Sequence, residues 1–255
     1  MRLLKKISKV MLAFLCGGAI GSMVLWSTYK SLMEIPSVKE LQEFGNVSPE
    51  LPSVEQLTLK HSRQSTVRVL SLSDDGRVAT STGTYFAAAN KYYVLTVMHG
   101  LVGPCEVTRV WSEKEGFTSC SDLVVSNLLV DYAIMEIDEI PSLRAVRIPR
   151  DLPRASQWKE ALSAQRKVYY TGFPNSTGPL TFSGRIVGYA EGDFIYIDSF
   201  AWGGASGSGV FGANGDYIGY ILAIDIGQTS YGIDVLENIV VVVPAFKIDW
   251  ATILE

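Results

Sequence analysis

The sequence predicts an all-β fold, a sandwich or barrels, and three observations carry that reading. Short strand-like runs recur at close spacing: 66–70, 82–86, 92–96, 105–111, 117–125, 132–137, 167–172, 181–188, 193–198, 208–212, 216–224 and 238–243. Glycine is plentiful, at 23 of 255 residues, which suits tight turns between such runs. No long helical periodicity interrupts them; the candidates for helix are 156–165, the final 245–254 and a short piece at 38–44.

The elements follow in order. Thr66-Val-Arg-Val-Leu70 alternates as a half-buried strand does. Thr82-Gly-Thr-Tyr-Phe86, a turn at Asn90-Lys91, and Tyr92-Tyr-Val-Leu-Thr96 read as a hairpin leading to His99. A second hairpin runs from Cys105 to Trp111, through a polar turn near 112–116, to Phe117-Thr-Ser-Cys120. The polar, proline-bearing stretch 149–163 is the natural junction between two β units. No repeat at solenoid spacing is present.

Composition bounds the function. At 47% hydrophobic and 19% charged residues, the chain buries a sizeable core in one or two domains. A formal net charge of −4 gives no electrostatic reason to expect nucleic acid as a partner.

The first thirty residues have a different texture. Arg2, Lys5, Lys6 and Lys9 precede an uncharged run from Val10 to Trp26. Such a run as helix spans roughly 25 Å, the lower limit for crossing a bilayer core. The basic cluster places the N-terminus in the cytoplasm and the remainder in the periplasm or outside the cell. An uncleaved signal anchor at 1–30 is the preferred reading, because Met23-Val-Leu-Trp26 continues the apolar run. Cleavage after the small residues at Ala19-Ile-Gly21 is the alternative. Residues 31–61, with Pro36, Pro49 and Pro52 and scattered charges, read as a stalk.

Export changes how the cysteines read. Folding the second hairpin brings Cys105 and Cys120 to similar heights on adjacent strands. In an oxidising compartment they can form a disulfide; two separate reduced thiols are the other reading. Histidine and cysteine are too few for a metal site, and no cofactor is expected.

The chemistry-bearing residues come in a fixed order. His99 lies in Leu95-Thr-Val-Met-His99-Gly100, Asp131 in Asp131-Tyr-Ala-Ile-Met135, and Ser206 in Gly204-Ala-Ser-Gly-Ser-Gly209. Each sits at the edge of an apolar strand-like run. His61, the only other histidine, lies in a polar context; Asp122, Asp138 and Ser208 are the remaining rivals. Small residues around Ser206 let the backbone bend so that a hydroxyl and two N–H groups face one point.

From about residue 62 to 255 the chain resembles the trypsin-like serine proteases, most closely the Deg/HtrA branch without PDZ domains. The resemblance rests on Tyr93-Val-Leu-Thr-Val-Met-His99, Asp131-Tyr-Ala-Ile-Met135 and Gly172-Phe-Pro174 with Ser183-Gly-Arg-Ile-Val187. It extends to Ile197-Asp-Ser199, Gly215-Asp-Tyr-Ile-Gly219 and Val243-Pro-Ala-Phe-Lys247. The chain departs from the family pattern at Met98, Gly100 and Gly209. The resemblance implies two six-stranded-type antiparallel β-barrels, at about 62–150 and 151–255, with a C-terminal helix. It assigns Ser206 as nucleophile, His99 as general base and Asp131 as the carboxylate orienting it. The N–H groups of Gly204 and Ser206 would form the oxyanion hole. Phe200, Ala201, Leu222, Ala223 and Ile224 would wall an apolar specificity pocket, shortened by Phe200, for a small or medium apolar side chain. The implied function is a membrane-tethered serine endopeptidase acting on polypeptides. The alternatives are an inactive protease-fold binding module and a viral or phage maturation protease.

Overall fold

A computed structural model describes residues 53–149, 152, 157–229 and 232–254, with the side chains of 224–237 left out. The expected anchor at 10–26, the helix at 38–44, the stalk as far as residue 52 and the Ile224 side chain lie outside the described residues. Among those described, no helix is long and apolar enough to cross a membrane.

Among the described residues, twelve strands build two closed barrels and a thirteenth lies beside the first. The first uses β1 (Thr66–Leu72), β2 (Val78–Ala88), β3 (Lys91–Val97), β4 (Thr108–Ser112), β5 (Gly116–Asn127) and β6 (Tyr132–Ile137). They run in the order β1-β4-β5-β6-β3-β2, and β2 returns to β1 to close the circle. Strand β2 does this by serving two neighbours: its first part, to Thr84, pairs with β1, and Thr84–Ala88 pairs with β3. A short β7 (Val146–Arg147) lies parallel to the end of β2. The second barrel uses β8 (Lys167–Gly172), β9 (Leu180–Ala190), β10 (Phe194–Asp198), β11 (Gly209–Gly212), β12 (Tyr217–Thr229) and β13 (Gly232–Pro244), closed in the order β10-β13-β12-β11-β8-β9.

Side-chain alternation sorts residues into three apolar clusters. Val67, Val69, Val94, Val110 and Met135 fill the first barrel. Val168, Ile186, Ile195, Val210, Ile221 and Val242 fill the second. The third is the seam, where Phe86, Tyr93, Leu95, Val97 and Ile134 from outside the first barrel meet Phe211, Tyr217, Tyr220 and Trp250. Strand β3 therefore reads apolar on both faces: one lines a barrel and the other lines the seam.

The ends of the domain differ from expectation. Residues Val54–Gln64, mostly within the span read as stalk, form helix α1. Ser53 caps it with a capping box: its hydroxyl accepts from Gln56 N–H at 3.2 Å, and the Gln56 side chain accepts from Ser53 N–H at 3.2 Å. The helix packs on the second barrel through polar groups. Thr58 donates to Ala213 O at 3.2 Å, and Ser62 donates to the Thr171 hydroxyl at 2.8 Å. Its buried residues are Thr58 and Ser62, so no apolar stripe announces it in the sequence. The helix expected at 156–165 is, among the described residues, the single turn α2 (Trp158–Ala161). The expected C-terminal helix is split into a 3-10 turn at Ala245–Lys247 and α3 (Ala251–Leu254). Asp249 interposes: its carboxylate accepts from Ala251 N–H and the Thr252 hydroxyl, starting a new helix there.

His61 of α1 is half-buried against the Phe211 ring, 5.5 Å away. Burial, and then the Arg144 guanidinium, hold its pKa below the ordinary 6.5. The unfolded chain therefore takes up a proton near pH 6.5 that the folded chain resists. Stability is full above that pH and declines as the pH falls below it. Urea midpoints at pH 7.5 and 5.5 are expected to differ less in His61→Asn than in the parent.

Cys105, in the 3-10 turn before β4, is disulfide-bonded to Cys120 of β5, with Cα atoms 5.3 Å apart. The bond closes a loop with a sequence separation of 15. A loop of that size stabilises by about 3 kcal/mol. Calorimetry of a Cys105→Ala/Cys120→Ala variant is expected to show Tm lowered by roughly 10 °C.

Candidate active site

Register brings His99 and Asp131 together. Strands β3 and β6 are antiparallel, and Val97 pairs with Tyr132. The residues just past that pair, the 3-10 turn Met98–Gly100 on one side and Asp131 on the other, are thus neighbours. Asp131 has φ 55°, a left-handed conformation that aspartate tolerates better than most residues. Its carbonyl accepts from Met98 N–H at 3.2 Å. Its Oδ1 accepts from His99 N–H at 2.8 Å, and its Oδ2 is bonded to His99 Nδ1. Both carboxylate oxygens are spent on the histidine, one on backbone and one on ring. The ring is oriented with Nδ1 toward the carboxylate, and Nε2 has no partner among the described residues. The second barrel buttresses this corner, because the Tyr220 hydroxyl donates to Val130 O. The His99 side chain is 53% exposed and that of Asp131 25%, so the imidazole is open to a ligand while its partner is sheltered.

Two overlapping turns shape the Ser206 loop. Ala205 N–H donates to Trp202 O at 2.9 Å, and Ser208 N–H donates to Ala205 O at 3.1 Å. The third residue of each turn is a glycine with positive φ, Gly204 at +94° and Gly207 at +87°. That is the type II pattern, which demands φ > 0 at this position. Space demands glycine as well. A Cβ on Gly204 would stand 2.6 Å from Phe173 O, and one on Gly207 2.0 Å from Thr82 O.

The turns divide the backbone donors. Ala205, Gly207 and Ser208 N–H are all bonded within the protein. Those of Gly204 and Ser206 have no acceptor among the described residues. Two N–H groups flanking one hydroxyl are thus left for a ligand. Ser208, the rival serine, is fully buried, and its hydroxyl donates to Ala205 O. Ser206 is only half-buried.

Strand β2 holds both halves. Thr82 N–H donates to Ser206 O at 2.9 Å, and the Thr82 hydroxyl donates to Gly204 O at 2.7 Å. The next residue back, Ser81, packs against Gly100 so closely that a Cβ there would lie 2.6 Å from its hydroxyl. The histidine turn and the serine loop therefore bear on adjacent residues of one strand. Among the described residues the Ser206 hydroxyl makes no hydrogen bond to the His99 ring; in unliganded enzymes such bonds are often long and tighten on binding. Sequence reasoning missed Thr82. Its one signal is the run Thr80, Thr82, Thr84, which puts buried hydroxyls at 82 and 84 on a strand that apolar residues would ordinarily fill.

The residues expected around the specificity pocket scatter. Ala201 is buried in the core of the second barrel. Phe200 is 52% exposed and stacks on Trp202 at 6.0 Å. Leu222 packs against the seam and Ala223 is exposed. A cavity of about 1040 Å³ opens between α1, 144–149 and 214–218, and it shares no residue with His99, Asp131 or the Ser206 loop. Among the described residues no group of three or more His, Cys, Asp and Glu is placed to hold a metal ion.

No family model and no curated protein matches the chain. Solved structures do. A serine endoprotease from Yersinia pestis superposes with TM-score 0.61 at 21% identity, over 80% of this chain and 68% of that one. AlgW, an HtrA-type protease in a structure with a tripeptide, superposes with TM-score 0.60 at 20% identity, over 78% of this chain and 62% of that one. The likeness establishes a shared fold of two barrels.

Proposed function

We propose that this chain is a serine endopeptidase that cleaves polypeptides through an acyl-enzyme. The observation that carries the reading is the grip of the Asp131 carboxylate on both the backbone and the ring of His99, in a two-barrel fold. In this reading Ser206 Oγ attacks the scissile carbonyl carbon while His99 Nε2 takes its proton. The carbonyl oxygen becomes an oxyanion held by the N–H groups of Gly204 and Ser206. As the tetrahedral species collapses, the C–N bond breaks and the imidazolium returns the proton to the leaving amine. Water, deprotonated by the same imidazole, then frees Ser206. Asp131 keeps the ring in one tautomer and stabilises the imidazolium. Residues 10–26 would tether the enzyme to a membrane, with the barrels on the oxidising side that suits a disulfide.

Incubation of the full chain with an unfolded protein such as reduced casein tests the reading. Fragments are expected from the parent and none from Ser206→Ala. A second reading, a peptide-binding module, draws on the missing bond between Ser206 and His99. Casein left intact but retained equally by the parent and Ser206→Ala would favour it.

A further inference from the structure

Arg68 of β1 is half-buried, far in sequence from every residue of the proposed site. Its guanidinium packs against two aromatic rings that meet edge to face, 5.2 Å from the centroid of Trp111 and 4.9 Å from that of Phe173. Register explains the first contact, because Trp111 is the cross-strand partner of Arg68 on β4. On its other side the partner is Thr82, the residue that anchors the serine loop. The Arg68 Nη2 donates to Ser176 O at 2.8 Å and to Thr177 O. Its Nε is buried and has no partner among the described residues, so the two rings and the two carbonyls fix the group.

Those carbonyls belong to a strained segment. Asn175 and Ser176 both have positive φ, 49° and 57°, though neither is glycine. Such conformations persist only where the surroundings over-determine them. The segment also reaches the oxyanion turn: Asn175 N–H donates to Gly203 O at 2.6 Å. Gly203 O and Gly204 N–H belong to one trans peptide unit and point in opposite directions. Holding the Gly203 carbonyl against Asn175 therefore aims the Gly204 N–H the other way. Rotation of that one peptide is what separates a type II from a type I turn. It would put a carbonyl where the donor now stands.

We infer that Arg68 is a positioning residue: by clamping 173–177 it sets the Asn175 latch on the Gly203 carbonyl and so keeps the Gly204 N–H available to an oxyanion. The inference rests on the function proposed above. A single Arg68 nitrogen, Nη2, serves both carbonyls while the guanidinium plane packs on the rings; a lysine ammonium can reach the carbonyls but has no plane to lay against the rings.

The test compares the full-length parent with Arg68→Met and Arg68→Lys. Loss of one oxyanion donor lowers kcat by roughly 10²-fold or more. Arg68→Met is expected to show that loss with KM little changed, and a matching loss of affinity for a peptide aldehyde, whose adduct carries an oxyanion. Arg68→Lys is expected to fall between and carries the test if the methionine variant does not fold. Amide exchange of Asn175, read by NMR, is expected to be slow in the parent and fast in Arg68→Met. Unchanged kcat in folded Arg68→Met, or a loss confined to KM, overturns the inference. A parent without hydrolysis overturns the proposed function instead. The latch is then judged by Asn175 exchange alone: equal protection in parent and variant rejects it.

Discussion

Ser206→Ala is expected to lower kcat by roughly 10⁶-fold while leaving Tm and KM near those of the parent. The alanine removes the only atom that forms a bond to the substrate, and it removes little packing, since Ser206 is half-buried and its hydroxyl bonds to nothing among the described residues. The loop itself is held by its backbone, through Thr82 N–H to Ser206 O and Gly207 N–H to Ile221 O at 2.7 Å. A residual rate of roughly 10³–10⁴ over water remains, from the oxyanion donors and substrate binding. Because nucleophile and base act as a unit, Ser206→Ala/His99→Ala is expected to be no slower than Ser206→Ala alone. Single-turnover hydrolysis of a fluorogenic peptide measures all three. Losses that add in the double variant would contradict a shared proton transfer.

Asp131→Asn is expected to cost roughly 10⁴-fold in kcat, the second largest effect. Asparagine can still accept from His99 N–H, so the turn is expected to hold. The atom that replaces Oδ2 is now an amide that donates. It turns Nδ1 into the acceptor and moves the ring proton to Nε2, the atom that must receive a proton from Ser206. The base is present in the wrong tautomer. Steady-state kinetics beside a thermal melt check this: the rate falls while Tm moves little. A loss under tenfold would mean that Asp131 only shapes the turn.

The proposed site was legible where its chemistry is local. Gly204 is demanded by the turn just before Ser206 and Gly207 by the turn that contains it, so a short peptide announces both. The strands were legible because alternation and glycine punctuation are local as well; β8 and β6 fall at 167–172 and 132–137, where the pattern puts them. The hairpin of β12 and β13 runs past the spans the pattern gives, 216–224 and 238–243, because backbone pairing, which almost any residue can supply, continues to Thr229 and Gly232. Helix α1 was hidden for the opposite reason, since it docks through Thr58 and Ser62, residues that look solvent-facing. The supports of the Ser206 loop leave almost no trace. Thr82 meets Gly204 across 122 residues, and Arg68 meets Ser176 across 108. Apart from the Thr80, Thr82, Thr84 run, nothing local distinguishes either from an ordinary strand residue. Phe200 and Trp202 stack on each other at the surface, a pairing that a list of apolar residues does not reveal.

In the proposed mechanism the imidazole of His99 activates one particular hydroxyl. A fluorophosphonate reports this without any knowledge of the substrate, because it forms a stable phosphonyl bond only with a serine that a base deprotonates in front of an oxyanion hole. The folded full chain is treated with the reagent, digested and mapped by mass spectrometry, beside His99→Ala. A single adduct is expected, on the peptide containing Ser206, that disappears in His99→Ala. An adduct on another serine, or one on Ser206 that forms equally well without the imidazole, would contradict it.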